Sequence, residues 1–480
     1  MQSTSTVVTG AATDAPTSRP VIALLVLGFS SLSVSLMQSL VIPIQTELPH
    51  LLSSTASNTS WVVTATLLAG AVAMPVAGRL ADIVGKKPVL ATSAVILAVG
   101  SLICALSNSL APILAGRVLQ GLAMGYIPVA ISFVRELVPP RMANTATASI
   151  SATFGVGSAL GLPLAAWIAQ SHDWHDLFWL ATALAVAMFA LTYSLIPHVH
   201  DAHGARLDVA GALGLAAGLV GVLVGVTKGN DWGWSAVSTI GLIVGGVVVL
   251  LLWGAYELHH DDPLIDLRTT AKRPVLLTNI AAALVGFGLM AQSIVVPQLL
   301  QMPVSTGYGL GQTMLSAGLW MAPAGVMMLA FAPVSSTLLT RFGGRVALST
   351  GIVVLATAYV FGAVFMNSPW QLMLVTCIAA AGVGIGYAAM PTLVLENVPV
   401  SEAASSVGFN SLMRSTGTVV AGAAMAVILT SRTSVLAPGA AEVPTVDAFR
   451  LCFIVGACAA ATGAVVALFI PRRTPTASRQ

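Results

Sequence analysis

Pro75-Val-Ala-Gly78-Arg-Leu-Ala-Asp82-Ile-Val-Gly85-Lys86-Lys87 recurs 258 residues further along as Pro333-Val-Ser-Ser-Thr-Leu-Leu-Thr-Arg-Phe-Gly-Gly-Arg345. Proline, valine, leucine and glycine coincide, and in both copies a long apolar block ends in a basic tight turn before the next block begins. A second echo has an offset of 260, where Glu136-Leu-Val-Pro139 returns as Glu396-Asn-Val-Pro399 and Gly157 returns as Gly417. Repeats of this length point to two related halves.

The blocks around the repeat decide the solvent. Of the 480 residues, 56% are hydrophobic and only 8% charged, against roughly 25% charged in soluble proteins. Apolar stretches long enough to cross about 30 Å of hydrocarbon run over 21–44, 61–80, 88–106, 110–133, 150–169 and 177–196, then 209–226 and 235–256, then 274–298, 314–338, 346–366, 372–395, 403–429 and 449–470. The expectation is an all-α integral membrane protein of fourteen spans in a six, two and six arrangement. Its parts are a disordered cytoplasmic tail (1–19), a six-helix bundle (20–197), an inserted pair with flanking cytoplasmic loops (198–272), a second bundle (273–471) and a short cytoplasmic tail (472–480). The inserted pair, read over 209–226 and 235–256, carries no charge. With the N-terminus inside, fifteen Lys and Arg fall in cytoplasmic segments and three outside, so the positive-inside rule places both termini in the cytoplasm.

Several chemistries are excluded. A net charge of +3 from 20 basic and 17 acidic residues offers no surface for a nucleic-acid backbone. The four cysteines lie in apolar blocks, where neither disulfides nor metal sites are expected. The His172–His175 and His198–His203 clusters sit in short loops and read as solvated rather than metal-binding. No G-x-x-x-x-G-K-[ST] loop is present for ATP, and no nucleophile, base and oxyanion donor are grouped as an enzyme needs.

Here the residues resemble the major facilitator superfamily, and within it the fourteen-helix drug:proton antiporters. The loop Gly78-Arg-Leu-Ala-Asp82-Ile-Val-Gly85-Lys86-Lys87 is similar to the superfamily signature G-x-L-a-D-x-x-G-x-k. Ile113-x-x-x-Arg117-x-x-Gln120-Gly121 is similar to the antiporter motif l-x-x-x-R-x-x-q-G. Gly157-x-x-x-Gly161-Leu-Pro163-Leu-Ala-Ala166 resembles G-x-x-x-G-P-x-x-G-G, with its proline one place late and alanines for the last glycines.

The resemblance implies that Asp82 meets the N-terminal dipole of the thirteenth span near Ser401, and that Lys86 pairs with Glu136. Together these would latch the halves while the cavity faces outward. Arg345 and Glu396 are the weaker counterpart pair in the second copy. Arg117 is an intramembrane guanidinium, which costs a few kcal/mol unless it faces water or a partner. Gln120, Gly121, Met124, Gly125 and Pro128 share its helical face, and the reading places that face on the central cavity. The alternative is an arginine that bonds neighbouring carbonyls to hold helices together. All 17 carboxylates fall in tails, loops or helix ends, and Gln38 stands where many such antiporters carry an acid. The expected cargo is therefore a neutral, zwitterionic or anionic amphiphile. Further cavity candidates are Asn279, Gln292, Trp320, Tyr387, Asn410 and Arg414. Gly78, Gly85, Gly157, Gly161 and Pro163 are assigned to close helix packing and kinking.

What these readings imply is a secondary transporter, monomeric in the lipid bilayer of a bacterial inner membrane, needing no metal or cofactor and driven by the proton motive force. One proton moving through about 150 mV supplies roughly 3.5 kcal/mol, enough for about a 300-fold gradient. The alternatives are an importer or uniporter of a metabolite anion, and a membrane sensor or scaffold that carries nothing.

Overall fold

A computed structural model describes residues 20–42, 44–45, 47–199, 206–435 and 442–471. The two tails and His200 and His203 lie outside the described residues. Among the described residues fourteen helices are long and apolar enough to cross a membrane. They are α1 (Pro20–Ser39), α2 (Ser57–Val84), α3 (Lys86–Ala105), α4 (Leu110–Leu137), α5 (Pro140–Ser171), α6 (Asp176–Leu195), α7 (Val209–Trp232), α8 (Val237–Glu257), α9 (Arg273–Gln301), α10 (Met314–Phe342), α11 (Gly344–Val364), α12 (Pro369–Leu395), α13 (Val400–Ser431) and α14 (Val446–Leu468). In lipid a helix satisfies every backbone polar group within itself, which is why these blocks fold as they do.

Both copies of the repeated turn need glycine. Gly85 between α2 and α3 has φ +95°, and Gly343 between α10 and α11 has φ +84°, a region that side-chain-bearing residues avoid. The fourth span is not one continuous α-helix, since residues Ala123–Gly125 tighten into a 3-10 turn. A small antiparallel ribbon, β1 (Thr433–Val435) with β2 (Glu442–Pro444), joins α13 to α14; the apolar pattern gives no sign of it.

Within α1–α6, α1 packs on α5 and α6, α2 on α4, and α3 on α4 and α6. Within α9–α14, α9 packs on α13 and α14, α11 on α12 and α14, and α10 on α12. Two seams join these groups, α2 with α13 and α5 with α10. Ala404 and Val407 of α13 enter the first group's core, and Ala148 and Ala152 of α5 enter the second's. α7 and α8 pair with each other, and α7 lies on α2 and α13.

Two expectations change. α5 begins at Pro140, about ten residues before the apolar block does; Pro140, Arg141 and Thr145 are exposed, and burial starts only at Ala146, so the first turns are helix standing outside the apolar block. The inserted pair is charged after all: α7 runs on to Trp232 and contains Lys228 and Asp231, and α8 ends on Glu257. Lys228 is 1% exposed. Its ammonium donates to the Ser57 carbonyl at 3.2 Å, to Asp231 at 2.9 Å and to the Ser60 hydroxyl, and lies 5.1 Å from the Trp61 ring centre. That clamp fixes α7 to the start of α2.

Candidate functional site

At the α2–α13 seam the helices touch backbone to backbone. A methyl group on Gly78 would lie 2.7 Å from the Ala404 carbonyl carbon and 2.9 Å from Ser405 Cα, and one on Gly408 would lie 3.0 Å from Pro75 Cα. This approach brings Asp82, one turn after Gly78, onto the first turn of α13. Its Oδ1 accepts the Ala404 N–H at 3.0 Å and its Oδ2 the Ser405 N–H at 2.8 Å. Those N–H groups have no partner inside their own helix, so α2 caps α13 across the seam, and the negative charge sits at the positive end of the α13 dipole. The contact falls on Ala404 and Ser405, slightly past the expected Ser401. Lys86 forms an ion pair with Glu136 at the same end of the molecule.

The α5–α10 seam carries the pseudo-symmetric contact. Ser336 occupies the place of Gly78 in the second repeat and Thr145 the place of Ser405, and their hydroxyls are 2.6 Å apart. Arg345 opens α11, partly buried, and Glu396 follows the end of α12, exposed.

Arg117 is 2% exposed. Its Nε donates to the Val62 carbonyl at 3.0 Å and its Nη1 to Gln120 Oε1 at 2.7 Å. Gln120 in turn donates to Ser101 at 2.9 Å, and Thr66 donates to the Arg117 carbonyl at 3.1 Å. These partners belong to α2, α3 and α4, so the guanidinium ties three helices of one half together. A narrow cleft beside it is lined by Gln38, Met37, Arg117, Gln120 and Met124 among others, with about 10 Å³ of space, room for one water. Gly121 and Gly125 do not share that lining. A methyl on Gly121 would meet Ala69 Cβ at 2.7 Å, and one on Gly125 would lie 3.1 Å from the Ala73 carbonyl. The glycines of the Arg117 face are thus spent on α2–α4 packing, and the 3-10 turn breaks the phase of that face.

A second cleft lies between the halves. Ile131 of α4 lines it together with Tyr387, Pro391, Val407, Asn410, Ser411 and Arg414 of α12 and α13. The Arg414 guanidinium carbon sits 4.5 Å from the centre of the Tyr387 ring. Asn410 donates to Asn279 at 2.8 Å, while Asn279 Nδ2 and Gln292 Oε1 are buried without a hydrogen-bond partner. Among the described residues no carboxylate lines either cleft. Trp320 lies apart from both, its indole donating to Gln312 at 3.2 Å. Gly157 and Gly161 receive Ser35, Leu36 and Ser39 of α1, and Pro163 packs on Gly318 of α10.

Ile131, Pro391 and Ser411 were not legible as lining residues, because an isoleucine, a proline and a serine inside spans look like any others. Tyr359 was also missed. Its hydroxyl donates to the Gly288 carbonyl and accepts the Gln292 N–H at 3.1 Å, pinning α11 to α9.

Residues 27–422 and 278–480 match the Major Facilitator Superfamily. The chain is 21% identical over 393 residues to the uncharacterized MFS-type transporter YhcA of Bacillus subtilis, covering 81% of this chain and 73% of that one. It is 23% identical over 319 residues to the lincomycin resistance protein LmrB of the same organism, covering 66% and 65%. Among the first eight curated relatives the matched region spans 60–75% of their own length. The fold resembles that of the human organic anion transporter MFSD10, with a TM-score of 0.66, 14% identity and coverage of 94% of this chain and all of that one. The superfamily match alone takes in far more than half of the sequence, and the chain therefore belongs to the Major Facilitator Superfamily, as a multi-pass transporter of the cell membrane.

Proposed function

We propose that this transporter exports small amphiphilic molecules by proton antiport, with both termini in the cytoplasm and the two halves rocking about a site between them. The reading rests on one observation above the rest. The cleft shared by α4, α12 and α13 offers a guanidinium stacked on a tyrosine, one asparagine amide, a serine hydroxyl and apolar side chains, and among the described residues no acid. Such a lining suits an aromatic or aliphatic body carrying neutral or anionic polar groups, whereas a cationic drug has no carboxylate to replace its water. The Asp82 contact supports alternating access, since it closes one end of the α2–α13 seam through hydrogen bonds that separation of the halves would break. The name of the LmrB relative supports an antibiotic-like cargo.

With no mid-membrane acid, proton carriage falls to groups at the helix ends, Asp82, Glu136 and Glu396, acting through the hydrogen bonds around Arg117. No cofactor or metal takes part, and the unit is a monomer.

The test is expression in a bacterial strain stripped of its own exporters, challenged with cationic, neutral and anionic compounds. Protection against neutral and anionic compounds, lost in Arg414→Gln, is expected. Protection confined to cations contradicts the reading of the cleft. Protection against none favours a specific metabolite or a protein that carries nothing.

A further inference from the structure

The inner end of the inserted pair holds two carboxyl groups face to face. Asp208 caps α7, and its Oδ1 accepts the Gly211 N–H at 2.8 Å and the Tyr256 hydroxyl at 3.2 Å. Glu257 closes α8, and its Oε2 receives the Ile265 N–H at 3.4 Å. Asp208 is 6% exposed and Glu257 2%. The remaining oxygens, Asp208 Oδ2 and Glu257 Oε1, are both buried with no hydrogen-bond partner. They face the same point: a methyl group on Gly211 would lie 2.5 Å from Glu257 Oε1 and closer still to Asp208 Oδ2. The Trp253 indole N–H, one turn earlier on α8, is buried beside Glu257 and interacts with its carboxyl group without reaching full hydrogen-bond geometry.

Two carboxylates brought together out of water cannot both stay ionised, and one proton between them satisfies both orphan oxygens at once. We propose that Asp208 and Glu257 form a proton-binding site, with one proton held on Glu257 Oε1 and donated to Asp208 Oδ2. The asymmetry follows from the partners. Asp208 already accepts two donors on its other oxygen and caps a helix N-terminus, both of which favour its charge. The donors to Glu257 are weaker: the Ile265 N–H is 3.4 Å from its other oxygen, and the Leu264 N–H and the Trp253 indole lie near it outside full hydrogen-bond geometry. The proton comes from bulk water and returns to it. Two facing oxygens fall well short of the six or more that a hard divalent cation takes, which favours the proton over a metal ion.

Other charges near the pair are committed elsewhere. The His260 ring stacks on Tyr256 at 5.1 Å, Asp266 caps the short helix Leu267–Thr270, and Arg268 donates to the Leu258 carbonyl at 2.7 Å. Lys272, Arg79 and Glu402 cluster with Asp266 rather than with Glu257. Among the described residues neither Asp208 nor Glu257 forms an ion pair.

The site has a mechanical reach. Ile265, bonded to Glu257, and Leu264 are buried in one cluster with Leu68 and Ala71 of α2 and Leu412 of α13. Release of the proton places two like charges at the root of the insert and loosens its hold on the α2–α13 seam. None of this depends on which molecule is carried.

The experiment is infrared spectroscopy of the full chain in lipid nanodiscs across pH. The wild type is expected to show a protonated-carboxyl band at neutral pH that Glu257→Gln removes and that shifts in frequency in Asp208→Asn, where the acceptor becomes an amide. Thermal stability should fall in the wild type as pH rises and the proton leaves, and should lose that dependence in Glu257→Gln. The proposal is overturned if the band survives Glu257→Gln unchanged, or if none is present at neutral pH because water or a cation bridges two charged groups. It is equally overturned if added Na⁺, K⁺ or Mg²⁺ displaces the band. Asp208→Asn and the wild-type titration carry the test should Glu257→Gln fail to fold.

Discussion

Replacing Asp82 with asparagine tests the seam between the halves. The native carboxylate accepts two backbone N–H groups, at 3.0 and 2.8 Å. Asparagine keeps one acceptor and turns an N–H donor toward the other N–H, so one charge-assisted hydrogen bond is lost and the other weakens. Hydrogen bonds to charged groups contribute about 1.5–3 kcal/mol each, and the charge at the helix end contributes about 0.3–2 kcal/mol more. Some of this returns when the separated groups meet water, which leaves about 2–3 kcal/mol favouring opening. At 1.4 kcal/mol per factor of ten, the equilibrium between closed and open seams shifts roughly 30- to 150-fold. Spin labels at Arg141→Cys and Thr337→Cys, in a background with Cys377 and Cys458 replaced by alanine, report the separation of α5 and α10 at the same end of the molecule. The wild type should give one short distance, and Asp82→Asn a second, longer population that dominates or rivals it. An unchanged distance distribution would refute the argument that this carboxylate holds the halves together.

Gly408→Val should open the same end without touching Asp82, because its side chain meets the α2 backbone at Pro75; the same labels should move in the same direction. Lys228→Met should lower the melting temperature through the loss of the two hydrogen bonds that anchor α7 to Ser57 and Ser60 and of the bond to Asp231 within α7, a net cost of about 2 kcal/mol after the lysine's desolvation is relieved, and Lys228→Arg should recover part of it. Arg117→Met leaves the Val62 carbonyl and Gln120 without their donor, at about 1–3 kcal/mol for each stranded group. It should therefore reduce thermal stability, whereas Arg414→Gln should abolish protection against neutral and anionic compounds with a smaller change in melting temperature.

Much of this architecture is legible in the sequence because lipid is an unforgiving solvent. Twenty apolar residues in a row leave few options but a spanning helix, and the repeated Gly85 and Gly343 mark the same left-handed turn twice. The Asp82, Lys86 and Glu136 contacts are legible only through the resemblance to the superfamily signature, since charge at a helix end says that a carboxylate favours some helix N-terminus but not which one. Arg117 stands out in the sequence as an intramembrane guanidinium in need of compensation, but helical periodicity cannot tell which neighbour supplies it. The 3-10 turn at Ala123–Gly125 shifts the face on which that periodicity was projected, and glycines that look like cavity lining allow α2 to approach instead. Lys228 reads as one of the three external loop cations because the apolar count ends the span at 226, while the helix itself continues to Trp232 and buries the lysine against Ser57 and Trp61. The pairing of Asp208 with Glu257 brings together residues 49 positions apart, a distance over which no local pattern reports.

The central claim is export driven by a proton gradient. Inside-out membrane vesicles, acidified internally and given a compound selected in the resistance screen, measure it directly. The account predicts that the compound accumulates in the vesicles and leaks away when a protonophore collapses the gradient. Accumulation that ignores the gradient, or is driven by an alkaline interior, would contradict it.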